Sequence, residues 1–218
     1  ALDDLNSRFN LHTGRIIIAA MPSFAANLLP LALKSFRSQH RQIKVAIHDV
    51  IAEEVLTMVR SGRAEIGISF DPGAYDDLTF TPLFNDAFVA VLTKDHDLAQ
   101  CNKIDIKDLK NDDLITLQAP SLVRQLVADM LREEALEFSP ALESHQFVTI
   151  GRMVASGLGV SIVPALCEKQ MLEVGAVCRP LSHGDFSQSV GILSRRRHPL
   201  SAAASAMKAI LMETFAQH

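Results

Sequence analysis

The sequence predicts an α/β protein made of two lobes, each a largely parallel sheet flanked by helices. Three observations predict it. Strand-length apolar runs alternate with amphipathic helix-length stretches over residues 14–70, and again over residues 114–164. The first alternation reads strand–helix–strand–helix–strand, an order that implies parallel strands joined by right-handed crossovers. The 218 residues, 48% of them hydrophobic, suffice for two modest cores.

Residues 15–21 (R-I-I-I-A-A-M) read as a buried strand. Residues 28–39 read as a helix with Leu29, Ala32, Leu33 and Phe36 on one face. Residues 43–48 place Ile43, Val45 and Ile47 on alternate positions of a strand. Residues 53–61 follow as a helix with Val55, Met58 and Val59 inward and Gly62 as its stop, then residues 65–69 as a strand. The stretch 71–77 (D-P-G-A-Y-D-D) is turn-rich, and 88–92 is a strong strand. After the polar stretch 94–100, residues 114–117 form a strand. Residues 121–135 are a helix with Val123, Val127, Met130 and Glu134 on one stripe and Leu122 and Leu126 beside it. A strand is expected over 143–148.

Residues 149–164 (T-I-G-R-M-V-A-S-G-L-G-V-S-I-V-P) compress several elements. Met153, Val154 and Leu158 are expected to face a core from a short helix. Gly157 suits the left-handed backbone that ends it. Val160, Ile162 and Val163 form a strand, and Pro164 fits the first turn of the next helix. Residues 190–194 are a last strand, and 201–215 a final helix with Ala203, Met207, Ile210 and Leu211 at helical spacing. Residues 2–10 form a helical stub with Leu2, Leu5 and Phe9 on one stripe. The chain is expected to cross between lobes near Thr93 and near Ser189.

The totals exclude several classes. A net charge of −4 does not suit a nucleic-acid-gripping face, and the one dense basic run, residues 195–198 (R-R-R-H), reads as a solvated turn after a strand. No apolar run approaches the ~20 residues that span a bilayer. Cys101, Cys167 and Cys178 cannot pair completely and form no C-x-x-C, which suits a reducing cytoplasm. A chain beginning at Ala1 rather than Met is expected to be a processed or truncated product.

Chemistry-bearing patterns are weak. Gly157-Leu158-Gly159 follows a helix and opens a strand, the reverse of a dinucleotide fingerprint. Asp95-His96-Asp97 reads as an exposed turn, and the eight histidines form no H-E-x-x-H, so no metal is expected. There is no G-x-S-x-G elbow, and Cys167 reads as a small core residue. The pairs Glu53-Glu54 and Glu133-Glu134 sit on polar helix faces as solvating groups. No cofactor and no catalytic set are expected. The better candidates are polar groups at helix starts beside strand ends: Ser23, Ser121 and Thr149. Helix starts present free N–H groups and a partial positive charge, and the carboxyl ends of parallel strands are where such folds take ligands. As plain N-caps, Ser121 and Thr149 would each contribute ~1 kcal/mol to their helices.

Four segments, G-R-I-I-I-A from Gly14, L-L-P at Leu28, V-R-S-G-R-A-E-I-G-I from Val59 and V-A-S-G-L-G-V-S-I-V-P from Val154, resemble in order and spacing the effector-binding domain of LysR-type transcriptional regulators. The resemblance runs from about Gly14 to the final helix. It implies two Rossmann-like lobes related to type 2 periplasmic binding proteins, with residues 14–92 and 190–218 in the first lobe and 93–189 in the second. Residues 1–13 would end a linker helix from a winged helix-turn-helix, through which alone the protein would touch DNA. It implies a small-molecule effector in the interlobe cleft, homodimers or homotetramers, a cytoplasmic location and no membrane.

Carried over position by position, the pocket would use Ser23, Phe24, Ala52 and Phe70 from the first lobe. Gln118, Ser121, Val148, Thr149, Val163 and Pro164 would come from the second. Relatives that bind aromatic dicarboxylates can carry an arginine at the position of Phe70 and a hydroxyl at that of Ala52. This chain has neither, so an apolar or monocarboxylate effector fits better than a strongly anionic one. Arg124 and Arg152 are expected on helix surfaces. Two rivals share the fold: a periplasmic solute-binding protein for a small carboxylate, and an enzyme such as a dehydratase, which would need a positioned acid–base set.

Overall fold

The computed structural model describes residues 14–182 and 186–215. The helical stub expected over residues 2–10 lies outside the described residues. The chain divides into two compact units, one running to Asn85 and resuming at Gln188, the other spanning Asp86–Ser187. The crossings fall at residues 85–86 and 187–188, the second close to the expected Ser189 and the first ahead of the expected Thr93. The cause is β4 (Leu78–Leu92), a single 15-residue strand that serves both units. Only its second half, 88–92, is visible as a strand in the sequence. The first half, L-T-F-T-P-L-F-N, is interrupted by Pro82 and Asn85.

In the first unit, β1 (Arg15–Ala20) lies between β2 (Lys44–Asp49) and β3 (Ile66–Phe70), parallel to both. β9 (Ser187–Arg195) runs antiparallel to β3 and adjoins β4. A short helix α1 (Pro22–Asn27) precedes α2 (Leu29–Gln39), the helix expected over 28–39, and both begin with proline in their first turn. α3 (Ala52–Arg60) buries Val55, Met58 and Val59 as the spacing required. It lies so close to β3 that a Cβ at Gly67 would come within 2.6 Å of the Val59 side chain. β2 is the edge strand, so its alternation is only half used: Ile43, just before it, is fully buried while Ile47 is 43% exposed. The final helix α7 (Ala202–Phe215) packs against α2 and buries Ala203, Met207, Ile210 and Leu211.

In the second unit, the rest of β4 pairs antiparallel with β7 (Ser161–Pro164) on one side and β8 (Val177–Pro180) on the other. β5 (Leu114–Leu117) runs parallel to β6 (Pro140–Ser144) and reaches β7 by a parallel bridge between Leu114 and Val160. Side-chain alternation on β4 splits the core into two layers. Val89 and Val91 join Phe147, Ile150, Val154 and Met171 beneath α5 (Phe147–Ala155) and α6 (Glu168–Glu173). Phe88, Ala90 and Leu92 join Val127, Met130 and Leu131 of α4 (Leu122–Glu133).

Three local readings change. The strand expected to run to Val148 ends at Ser144, and α5 starts at Phe147 because Phe147, Ile150, Gly151 and Val154 form one buried helical stripe. Pro164 closes β7 with extended backbone (φ −55°, ψ 140°), ahead of a 3₁₀ turn Ala165–Cys167, rather than opening an α-helix. Leu158 follows the turn at Gly157 and is 50% exposed instead of core-facing.

Gly157 has φ +80° and open space around it, whereas Gly159 has φ +149° and a Cβ there would sit 2.1 Å from the Asp113 carbonyl oxygen. Gly157→Ala should cost about 1–2 kcal/mol, the ordinary left-handed penalty. Gly159→Ala should cost at least twice as much, because backbone rather than a flexible side chain must move. Urea midpoints of the two variants check this; equal midpoints would overturn it.

Candidate functional site

Within each unit the expected ligand-facing residues gather at the carboxyl ends of parallel strands. In the first unit, Ser23 and Phe24 lie in α1 just after β1, Ala52 opens α3 after β2, and Phe70 is the last residue of β3. In the second, Gln118 follows β5, Ser121 precedes α4, Val148 and Thr149 lie in the first turn of α5 after β6, and Val163 and Pro164 end β7. β5 and β6 are parallel, so these positions share one end of that unit's strands.

Their side chains differ in what they offer. Ser121 is a true N-cap: its Oγ accepts the Arg124 N–H at 3.3 Å. Thr149 is not a cap. It is the third residue of α5, whose N-cap is Gln146, and it is exposed. Ser23 sits behind Pro22 as the second residue of α1 and is buried. Phe24 is enclosed, its ring stacked on Phe84 with centroids 6.3 Å apart and edge-on to Phe215 at 5.3 Å. Phe70 is likewise buried. These two rings shape the first unit's strand ends from within, where Ile51 is the more exposed apolar side chain, and in the second unit Val148 is 40% exposed.

Neither α3 nor α5 has a side-chain cap, so the first N–H groups of each helix are left to other acceptors. The charge around them is not cationic. α3 carries Glu53 and Glu54 in its first turn, and Glu53 Oε2 is buried without a hydrogen-bond partner among the described residues. Burial pushes the Asp49 carboxyl at the end of β2 above its ordinary value. Arg124 is not a free surface cation. Its Nη1 donates to the Leu117 carbonyl at 3.0 Å and pairs with Glu143, and its guanidinium lies 4.9 Å from the centre of the Phe138 ring. Arg152 is exposed.

One residue at the strand ends escaped the sequence reading. Asp86 is 4% exposed, and its Oδ1 accepts the Leu166 N–H at 3.1 Å, fixing the chain just beyond Pro164. Its Oδ2 is buried with no partner among the described residues. Desolvation raises its pKa to about 7, against the lowering effect of the Leu166 hydrogen bond. A lone acid ahead of A-F-V-A-V-L is the available signal, masked because the sequence reads as strand only from Phe88 onward.

The remaining candidates are structural. His96 Nδ1 accepts the Leu98 N–H at 3.1 Å and Nε2 lies 3.2 Å from Asp112 Oδ1, so the ring pins a turn. Its side chain is partly buried rather than part of an exposed turn. Burial pushes the Cys167 thiol well up and Cys178 up to about 12, which leaves neither as a reactive thiolate. Among the described residues no group of three or more His, Cys, Asp or Glu is placed to hold a metal ion. No described helix is long and apolar enough to cross a membrane.

The model of the LysR substrate binding domain matches residues 10–216. The HTH-type transcriptional regulator YbhD of Escherichia coli (strain K12) is 26% identical over 201 residues, covering 92% of this chain and 63% of that protein. The chain thus spans about three-fifths of the length of such relatives. Among solved structures, the effector binding domain of QuiR in complex with shikimate has a TM-score of 0.85 at 18% identity, covering 94% of this chain and 99% of that one. The regulatory domain of CcmR from Synechocystis PCC6803 in complex with 2-PG gives the same values. The fold is accordingly the two-lobe, type 2 periplasmic-binding-protein-like one.

Asp86 makes stability fall as pH rises. The unfolded carboxyl titrates near 3.8 and the folded one near 7, so between these values the folded state keeps a proton that the unfolded state has lost. Its contribution is complete below 3.8 and is lost as pH rises through about 7, by up to about 1.4 kcal/mol per pH unit. Asp86→Asn should remove that slope and gain on the wild type between pH 5 and pH 8. Urea unfolding at both values checks it; parallel profiles would refute it.

Proposed function

The chain belongs to the LysR substrate binding domain family, and on that premise we propose that it is the ligand-sensing regulatory domain of a DNA-binding transcriptional regulator, without catalytic activity. The observation that carries the reading is the repeated arrangement of strand ends and uncapped helix starts in each unit, with no acid–base or nucleophile set among them. Such helix starts can take a ligand's oxygen atoms without any side-chain chemistry. The relatives' names favour this reading over a periplasmic solute-binding protein or an enzyme. DNA contact would come from a winged helix-turn-helix outside these residues, in a cytoplasmic homodimer or homotetramer.

The effector we propose carries at most one negative charge. Arg124 is already neutralised by Glu143, while Glu53 and Asp49 stand at the first unit's strand ends. An anion there meets carboxylates rather than free cations. The partnerless Glu53 Oε2 would instead accept a ligand hydroxyl, and Val148 would meet an apolar body. The ligand would act by preferring one arrangement of the protein over another, and it shifts that balance only by its difference in affinity. Inverting a 1:99 equilibrium takes about 5.5 kcal/mol of preference.

Thermal unfolding with shikimate, 2-PG and uncharged hydroxylated or monocarboxylate compounds tests the site. Low-charge compounds should raise the melting temperature more than 2-PG does. Ser121→Ala and Thr149→Asp should weaken the binding at least tenfold. Ser121→Ala should also cost about 1 kcal/mol of stability as a lost cap. Phe70→Ala is a poor probe, because emptying so buried a site costs about 3–5 kcal/mol. Unchanged affinity in both Ser121→Ala and Thr149→Asp would sink the assignment.

A further inference from the structure

The basic run at residues 195–198 is not merely a solvated turn. It forms one wall of a cavity of about 330 Å³, lined by Arg60, Asp76, Asp77, Arg195, Arg197 and His198. All six belong to the first unit. The cavity lies where α3 and β9 end, and β9 runs antiparallel to β3, so it sits at the opposite end of the sheet from Ser23, Ala52 and Phe70.

Its walls are braced. Arg60 Nε donates to Asp77 Oδ2 at 2.8 Å, and its guanidinium lies 5.4 Å from the centre of the Tyr75 ring. The Arg196 N–H donates to the Asp77 carbonyl at 2.9 Å, fastening the turn after β9 to the start of β4. The Arg195 guanidinium lies over Gly62, where a Cβ would come within 2.9 Å of Nη1. Arg197 and His198 have no hydrogen-bond or ion-pair partner among the described residues. Counting Arg196 at the rim, four guanidiniums stand against two carboxylates, and one of those, Asp77, is already paired. The surplus is cationic in a chain whose net charge is −4.

We propose that this cavity is a second ligand site, for a small dianionic oxyanion such as a phosphate monoester, held by Arg195 and Arg197. Planar guanidinium forks bind phosphate oxygens in pairs, which suits a tetrahedral dianion. His198 supplies a further N–H, and Asp76 is placed to accept a hydroxyl from the body of the ester. The site is independent of the low-charge effector site, and its charge is of the opposite sign.

Isothermal titration of the 218-residue chain with inorganic phosphate and with glycerol 3-phosphate, at fixed ionic strength, tests it. Both should bind, the ester more tightly, with glycerol and chloride giving no heat. Arg197→Gln, which removes no brace, should weaken phosphate at least tenfold with the melting temperature unchanged. Ser121→Ala should leave phosphate binding intact. Absence of binding at millimolar phosphate, equal heats from chloride, binding that survives Arg197→Gln, or loss of binding in Ser121→Ala would each overturn the proposal. So would a short DNA duplex that binds through Arg197 while free phosphate does not.

Discussion

Parallel pairing is the constraint on which the rest of this protein depends. β1 lies parallel to β2 and β3, and β5 parallel to β6. Parallel neighbours cannot be joined by a tight turn, so each connection must cross a face of the sheet, and helices are the compact way to do so. Every such helix starts where a strand has just ended. The strands' carboxyl ends therefore collect helix N-termini whose N–H groups the helices cannot satisfy themselves. Ligand-binding capacity is thus a by-product of topology, and residues such as Ser121 and Gln146 modulate it by capping or by failing to cap.

Asp86 shows how a buried polar group can serve geometry at a thermodynamic cost. The Leu166 N–H follows Pro164, and neither the strand nor the 3₁₀ turn supplies it with an acceptor. The carboxylate from β4 does so, and it holds the end of β7 in place. The second carboxyl oxygen is left buried and unpartnered, which favours the protonated acid. An asparagine would offer the same acceptor without the titration.

Much of the fold is legible in the sequence because burial imposes a period. Val55, Met58 and Val59, or Ala203, Met207, Ile210 and Leu211, sit at helical spacing and are buried as a stripe. Legibility fails where two periods coexist. The run E-S-H-Q-F-V-T-I has β-branched and aromatic residues in sequence, so it reads as strand. Tertiary packing of Phe147, Ile150, Gly151 and Val154 against Met171 selects helix instead. That choice moves Thr149 from a cap to an exposed first-turn position. β4 fails for another reason: Pro82 and Asn85 interrupt its pattern, yet the strand continues through them because the partners of its two halves differ. At the site, positions were legible and exposure was not. Spacing places Phe24 and Phe70 at strand ends, but only packing, in Phe24's case against Phe84 and Phe215, reveals that both rings are buried.

Charge is distributed unevenly over this protein. At the second unit's strand ends Arg124 is paired with Glu143 and Arg152 is exposed, and the first unit's strand ends carry Asp49 and Glu53. At the far end of the first unit's sheet, arginines outnumber carboxylates and Arg197 has no partner among the described residues. A chain of net charge −4 gains little stability from exposed like-charged guanidiniums held together, since they repel one another and exposed ion pairs contribute only about 0–1 kcal/mol. Asp77 holds Arg60 and the Tyr75 carbonyl accepts from Arg196, while the Arg195 guanidinium lies over Gly62, so the side chains are held near one another instead of splaying apart. An ordered cationic surplus is stabilised by an anion that enters it. The two ends of the first unit's sheet therefore differ in electrostatic character, Asp49 and Glu53 standing at one and the arginine surplus at the other.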